Sequence, residues 1–240
     1  MIEFYKKRGE TPLQALNRLR KEKPEYKDSI LSYAGRLDPM AEGVLPILVG
    51  AEENKNRKEF LNKNKVYRAG FLIGCETDTG DTLGIIQKTN FRNIEPKVLE
   101  YVIKGLLKVE KQTYPWFSSK TVSGIPLFEY ARKKNFKIIR PERKVKIYKI
   151  SNIIISEISK DEIIKDCINI IQNIEGDFRQ REILETWDKL IKVMPEKVQT
   201  IAFEIEVSSG TYIRALAEQI GNSINCPVLL YTLIRTRVFK

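Results

Sequence analysis

YAGRLDPMAEGVLPILVG (Tyr33–Gly50) places an acid between two apolar residues and follows it with an apolar run. Asp38 stands between Leu37 and Pro39, with Gly35 upstream and Val44–Val49 downstream. Two readings compete. Aspartate followed by proline is a favoured helix start, because the carboxylate accepts from free N–H groups and proline suits the first helical position. From spacing alone this cap is the commoner arrangement. Gly35 and the apolar run favour the other reading, a reactive acid. A carboxylate on such a border is partly desolvated, and its proton affinity becomes tunable.

Composition limits what such an acid could serve. The 240 residues include 42 Lys and Arg, 31 Asp and Glu and no histidine, for a net charge of +11. This length allows one large domain or two small ones. A chain of this size buries about 70% of its unfolded surface without staples. The charge excess points to a polyanion, RNA or DNA, and after it to an anionic membrane surface. A spanning helix is not expected, since Val44–Val49 falls far short of the ~20 residues needed. MIEFYKKRGE carries charge where a leader would be apolar, so a cytoplasmic location without a membrane partner is expected. Cys75, Cys167 and Cys226 are widely separated, which argues against a zinc site or a disulfide framework. Without histidine, Ser–His–Asp and Cys–His catalysis and histidine-ligated metals are excluded.

Along the chain, Thr11 and Pro12 predict an N-cap and first turn for a helix carrying Leu13, Leu16 and Leu19 and stopping before Pro24. Ala51–Leu61 is polar and helix-prone. Tyr67, Ala69, Phe71 and Ile73 alternate as in a strand, and TDTGDTLG after them reads as a turn. Helices are predicted from Pro96, over Leu127–Lys134 and over Asp161–Ile191 with a break near Gly176. Strands are predicted around Val145–Ile155, over Ile201–Val207 and over Val228–Val238, with a helix carrying Ile213, Leu216, Ala217 and Ile220 before the last. Helices and strands mix without a βαβ rhythm. That predicts an α+β fold with a mixed, largely antiparallel sheet, built as one unit over residues 1–240.

Three further stretches bear on chemistry. Tyr67 in KVYR is either a half-buried aromatic or a ring for stacking on a base, flanked by Lys65 and Arg68. Arg214 in SSGTYIRALAEQIG is either a solvated helix arginine or a fixed charge one turn into an anion-attracting helix N-terminus. QTYPWFSSKTVSGIPLFEYARKK interleaves aromatics with Lys120, Arg132, Lys133 and Lys134, and RPERKVKIYK (Arg140–Lys149) extends the basic character. Such interleaving suits looped or single-stranded RNA, and equally a core aromatic cluster beside a solvated basic face.

Taken in order, these motifs resemble the TruB family of tRNA pseudouridine synthases. KKRGETPLQALNRL resembles its N-terminal segment, AGRLDPMAEGVLPILVG its catalytic motif and KVYRAGFLIGCETDTGDTLG its tyrosine motif. Pro115–Arg132 resembles the segment ending in tyrosine, alanine and arginine, here Tyr130–Arg132. SSGTYIRALAEQIG resembles the arginine motif and LLYTLIRTRV the closing leucine–arginine strand. The resemblance covers most of Tyr5–Val238.

The resemblance implies the pseudouridine synthase fold, with an active-site cleft across its sheet. The implied substrate is uridine 55 in the T loop of tRNA, whose base is detached, turned and rejoined through a ring carbon without cofactor or metal. Asp38 matches the catalytic aspartate, which either attacks the sugar or removes a ribose proton. Arg214 matches the arginine that pairs with it, and an adjacent guanidinium favours the charged acid. Tyr67 matches the aromatic on the target base, and Leu233 and Arg235 match the residues that support the pocket. Arg36, Lys65, Arg68, Lys120, Tyr130 and Arg132 would contact RNA.

Departures accompany these matches. Ser32–Tyr33 replaces the glycine–histidine pair of many bacterial members, so Tyr33 would stack where that histidine acts. Tyr114–Pro115 stands for the usual proline pair, and Ile234 precedes Arg235 in a shifted closing motif. The stretch Ser159–Lys197 is longer than the bacterial pattern. The PUA-like C-terminal RNA-binding domain of many members is expected to be absent, leaving a monomer that grips tRNA with its own basic surface. The alternatives are a non-catalytic RNA-binding module on this scaffold and an isomerase acting on another stem-loop RNA.

Overall fold

The architecture is that of a computed structural model, which describes residues 1–239. The strands are β1 (Ile2–Lys6), β2 (Leu31–Tyr33), β3 (Glu42–Val49), β4 (Lys65–Ile73), β5 (Cys75–Thr77), β6 (Ile86–Thr89), β7 (Lys111–Thr113), β8 (Thr121–Val122), β9 (Ile125–Pro126), β10 (Glu142–Lys144), β11 (Ile147–Ser159), β12 (Lys197–Val207) and β13 (Val228–Val238). The helices are α1 (Pro12–Glu22), α2 (Gly50–Lys55), α3 (Arg57–Leu61), α4 (Pro96–Gly105), α5 (Leu127–Arg132), α6 (Lys160–Asn173), α7 (Gln180–Val193) and α8 (Ala215–Ile224).

A seven-stranded sheet runs β1–β3–β13–β4–β12–β11, with β2 beside β3. Its pairings are antiparallel except β3 with β13. The expected α+β fold with a mixed, largely antiparallel sheet is therefore what the chain adopts. The central register follows from alternation. Tyr67, Ala69 and Phe71 on β4 pair with Ile205, Phe203 and Ile201 on β12, so all six share one face. Phe71 and Phe203 stack there with ring centroids 5.5 Å apart. Arg235 and Leu233 on β13 pair with Tyr67 and Ala69 and so lie on that same face.

One core joins these strands to α4, α6, α7 and α8, with Leu99, Ile103, Ile163, Trp187 and Leu216 fully or almost fully buried. A second, smaller cluster packs Ala15, Leu16 and Leu19 of α1 on Leu45 and Ile47 of β3. Thr11 caps α1 as anticipated, accepting from Gln14 N while the Gln14 side chain accepts from Thr11 N. Leu13, expected on the buried stripe, is exposed instead. Between β11 and β12 the long segment folds as the α6–α7 pair, broken at residues 174–179. Among the described residues no helix is long and apolar enough to cross a membrane.

Candidate active site

Asp38 does not cap a helix. Its carbonyl accepts from Ala41 N at 3.0 Å in a tight turn, and the chain continues directly into β3. Pro46 supplies the reason, since inside a helix its ring would clash with the preceding turn and remove a donor. β-branched Val44, Ile47 and Val49 suit a strand.

Three buried cations lie under the loop that carries Asp38. Lys6 donates to the carbonyls of Ala41 at 2.5 Å, Lys7 at 3.0 Å and Pro39 at 3.4 Å. Arg235 donates to Val44 O at 2.7 Å, Gly35 O at 3.1 Å and Arg36 O at 3.4 Å. Lys65 donates to the carbonyls of Leu61 and Lys63, and its stem lies within 3.7 Å of the position a Cβ on Gly35 would take. Burial pushes Lys6 and Lys65 down to about 8. Glu10 and then Asp38 oppose the shift of Lys6, while Arg235 reinforces that of Lys65. Gly43 permits the close pairing of β3 with β13, because an added Cβ would sit 2.3 Å from Arg235 O.

Above this loop Arg214 binds two acids. Its Nε lies 3.0 Å from Asp38 Oδ2 and 3.3 Å from Asp81 Oδ2, at ion-pair distance from both and in hydrogen-bond alignment with neither. Its other nitrogens donate to Thr79 O at 2.9 Å and Phe117 O at 3.2 Å. Arg214 is 6% exposed and Asp38 42%, so one carboxylate faces outward from a buried guanidinium. Burial works against the arginine's charge, but Asp38 and then Asp81 prevail, and its pKa lies above the ordinary value. Arg214 is the N-cap of α8, which begins at Ala215, and does not lie one turn into a helix. Gln112 fixes the approach by accepting from Tyr212 N at 2.9 Å and donating to Tyr212 O at 3.2 Å. Gly80, at φ +77°, lets the turn lie against Arg214, as a Cβ there would approach its carbonyl to 3.2 Å.

Asp81 is the acid that sequence reasoning missed. TDTGDTLG reads as a turn because its residue types are turn formers, and only the fold reveals that Asp81 is buried. It accepts from Thr79 Oγ1 at 2.8 Å and Leu83 N at 3.0 Å. Burial raises its pKa to about 6, against Arg214, which lowers it, and with Asp38, which raises it. Between the ordinary value of 3.8 and about 6 the folded protein therefore holds a proton that the unfolded chain has released. Stability contributed by this group is lost as pH rises through that window. Urea unfolding of wild type and Asp81→Asn should show it, with the stability difference falling by about 2 kcal/mol from pH 4 to pH 7. A difference that stays flat would refute the raised pKa.

The remaining sequence candidates divide by position. Tyr67 is buried next to Arg235 in the ladder, and Leu37, Tyr67 and Leu233 belong to one core cluster. Arg68 points to the opposite face of the sheet and is exposed, so the structure does not bring it to the site. Tyr33 is half-buried at the end of β2, where its hydroxyl accepts from Arg36 Nε at 3.3 Å and Arg57 lies over its ring. Lys120 lies 5.5 Å from the centroid of Tyr114, which meets Tyr212 edge-on at 5.6 Å. Burial and then Asp38 raise the pKa of Tyr212, which ties that aromatic pair to the site. Tyr130 donates to Val122 O at 3.2 Å, and Arg132 pairs with Asp177. Beyond them Arg140 lies over Trp116, which packs edge-on against the exposed Phe136.

Comparison with known proteins shows where the chain belongs. The chain is 31% identical over 238 residues to tRNA pseudouridine synthase B of Listeria welshimeri, covering 99% of this chain and 65% of that protein. It is 28% identical over 230 residues to tRNA pseudouridine synthase B of Vibrio vulnificus, covering 96% of this chain and 60% of that protein. The chain thus spans less than two thirds of the length of these relatives. Among solved structures it resembles a chain of a Cbf5–Nop10–Gar1 complex with a TM-score of 0.58 at 19% identity, covering 99% of this chain and 48% of that one. That likeness concerns the fold. Residues 23–167 match the N-terminal domain of the TruB family pseudouridylate synthases, and the chain belongs to that family.

Proposed function

We propose that the protein is a tRNA pseudouridine synthase that isomerises uridine 55 of the T loop, with Asp38 as its catalytic carboxylate. The observation that carries this reading is the outward-facing Asp38 held 3.0 Å from the buried Arg214. The buried guanidinium sets a fixed positive charge beside a carboxylate that reaches solvent. An RNA-binding module would have no need of a partly exposed acid on a buried arginine.

The chemistry follows from that charge. An ionised Asp38 either attacks the sugar carbon or takes a ribose proton, and both routes need the carboxylate form. The target base lies inside a folded loop and must be extruded to reach Asp38. Tyr67 offers a ring on the sheet face that also carries Leu233 and Arg235. Aromatic faces stabilise an unstacked base by about 1–3 kcal/mol. The aromatic and basic lobe from Tyr114 to Arg140 adds stacking surfaces and positive charge at the edge of the site, as looped RNA requires. The relatives from Listeria welshimeri and Vibrio vulnificus are named for the same substrate class.

Incubation of the protein with a tRNA transcript, followed by position-resolved mapping of pseudouridine, tests the proposal. Conversion of one T-loop uridine is the expected result. Conversion confined to another position would replace the target, and no conversion in any tRNA would end the proposal.

A further inference from the structure

The α6–α7 pair carries a turn, residues 174–179, that ends at the candidate site. The turn is built by its own side chains, with Phe178 N donating to Gln180 Oε1 at 3.0 Å and Gln180 Nε2 donating to Gly176 O and Ile174 O. It is also fastened from outside. Arg132 donates to Asp177 O at 2.8 Å and Gln14 to Glu175 Oε2 at 2.6 Å. Arg179 takes up a left-handed backbone at φ 62° and ψ 33°, uncommon for arginine unless its surroundings impose it.

Its side chain is anchored on both a carboxylate and a ring. Arg179 Nη1 and Nη2 donate to the two oxygens of Asp78 at 2.6 and 3.2 Å, a planar fork on a carboxylate. The same guanidinium lies 4.4 Å above the ring of Phe117. Asp78 also accepts from Ile85 N at 2.8 Å, so the fork holds the whole turn that leads to Asp81. Arg214 takes its two carbonyl partners from Thr79, the neighbour of Asp78, and from Phe117 itself. One guanidinium thus ties together the two segments that orient the other.

We infer that Arg179 is a positioning residue for the reaction proposed above, acting through Asp78 and Phe117 to fix Arg214 against Asp38. This inference rests on that reading of the function. It gives the α6–α7 pair a role: through Asp78 and Phe117 the pair buttresses Arg214. A loosened arginine would leave the acid misplaced. Small displacements of catalytic groups cost large factors in rate.

The test uses Arg179→Met, which keeps the aliphatic stem, and Arg179→Lys, which keeps the charge but loses the fork. Single-turnover pseudouridine formation on a tRNA transcript should slow roughly 10- to 100-fold in both, with tRNA affinity unchanged. A second readout needs no catalysis. In protein labelled with nitrogen-15 arginine, the signal absent from Arg214→Lys identifies the Arg214 Nε–H group. Its exchange with water should be slow in wild type and about 10-fold or more faster in Arg179→Met, because buried donors exchange only when their surroundings open. An unchanged rate overturns the inference. So does an Arg214 signal as protected in the variant as in wild type, and so does a loss confined to tRNA affinity. If the wild-type protein forms no pseudouridine, the functional reading fails, and the exchange measurement still decides whether Arg179 holds Arg214.

Discussion

Asp38→Asn is expected to abolish pseudouridine formation, a loss of about 10⁴-fold or more, while tRNA binding persists. The size of the effect follows from asparagine's chemistry: it keeps the shape of the side chain but can neither attack a sugar carbon nor accept a ribose proton. Removal of a group that acts covalently or as the essential base typically costs factors of this order. Binding should survive because Arg214 retains Asp81, Thr79 O and Phe117 O as partners, so the pocket keeps its form. Fold stability should change by no more than about 1 kcal/mol, since Asp38 is 42% exposed and exposed pairs contribute little. Single-turnover conversion and filter binding on the same transcript measure both quantities. Product at the wild-type rate would remove Asp38 from the reaction.

Arg214→Gln is expected to harm both activity and folding. The variant strands Asp81, a buried carboxylate, without its cation. Breaking a buried pair from one side costs about 3–5 kcal/mol. The cost should depend on pH in a defined sense. Arg214 holds the Asp81 pKa down, so its removal moves that pKa further above 6. Stability held by a protonated Asp81 is present at acid pH and lost as pH rises through the shifted value. The variant should therefore lose less stability at pH 5 than at pH 8. Arg214→Lys should recover stability but not activity, because an ammonium cannot reach two carboxylates and two carbonyls with planar geometry. Urea unfolding at the two pH values and single-turnover rates provide the comparison. Equal losses at both pH values, or an active lysine variant, would contradict the account.

Much of the scaffold could be read from alternation and caps. Ile201 to Val207 announce their strand because one face is buried and the period is two, and Tyr67 to Ile73 show the same alternation in sequence although only Arg68 among them is exposed. The break at residues 174–179 was visible from Gly176. Asp38 shows the limit, since Asp–Pro is an equally good helix start and only Pro46, eight residues on, decides against it. Arg214 and Asp81 show a second limit. Both sit in stretches of ordinary turn or helix composition, and their burial depends on residues far off in the chain, Thr79 and Phe117 in the one case and Arg214 in the other. Arg68 shows a third: neighbours in a strand face opposite ways, so a cation adjacent in sequence to Tyr67 is remote from it in space.

The clamp under the Asp38 loop has a thermodynamic consequence. Lys6 grips the carbonyls on one shoulder of the aspartate and Arg235 those on the other. The loop is thus ordered during folding, and the conformational entropy it loses there is not lost a second time when a ligand binds. For the reaction proposed above, the free energy of docking would then be available to deform the nucleic acid, whose uridine has to leave its stack. Rigidity in the protein and distortion in the ligand are two sides of one division of labour.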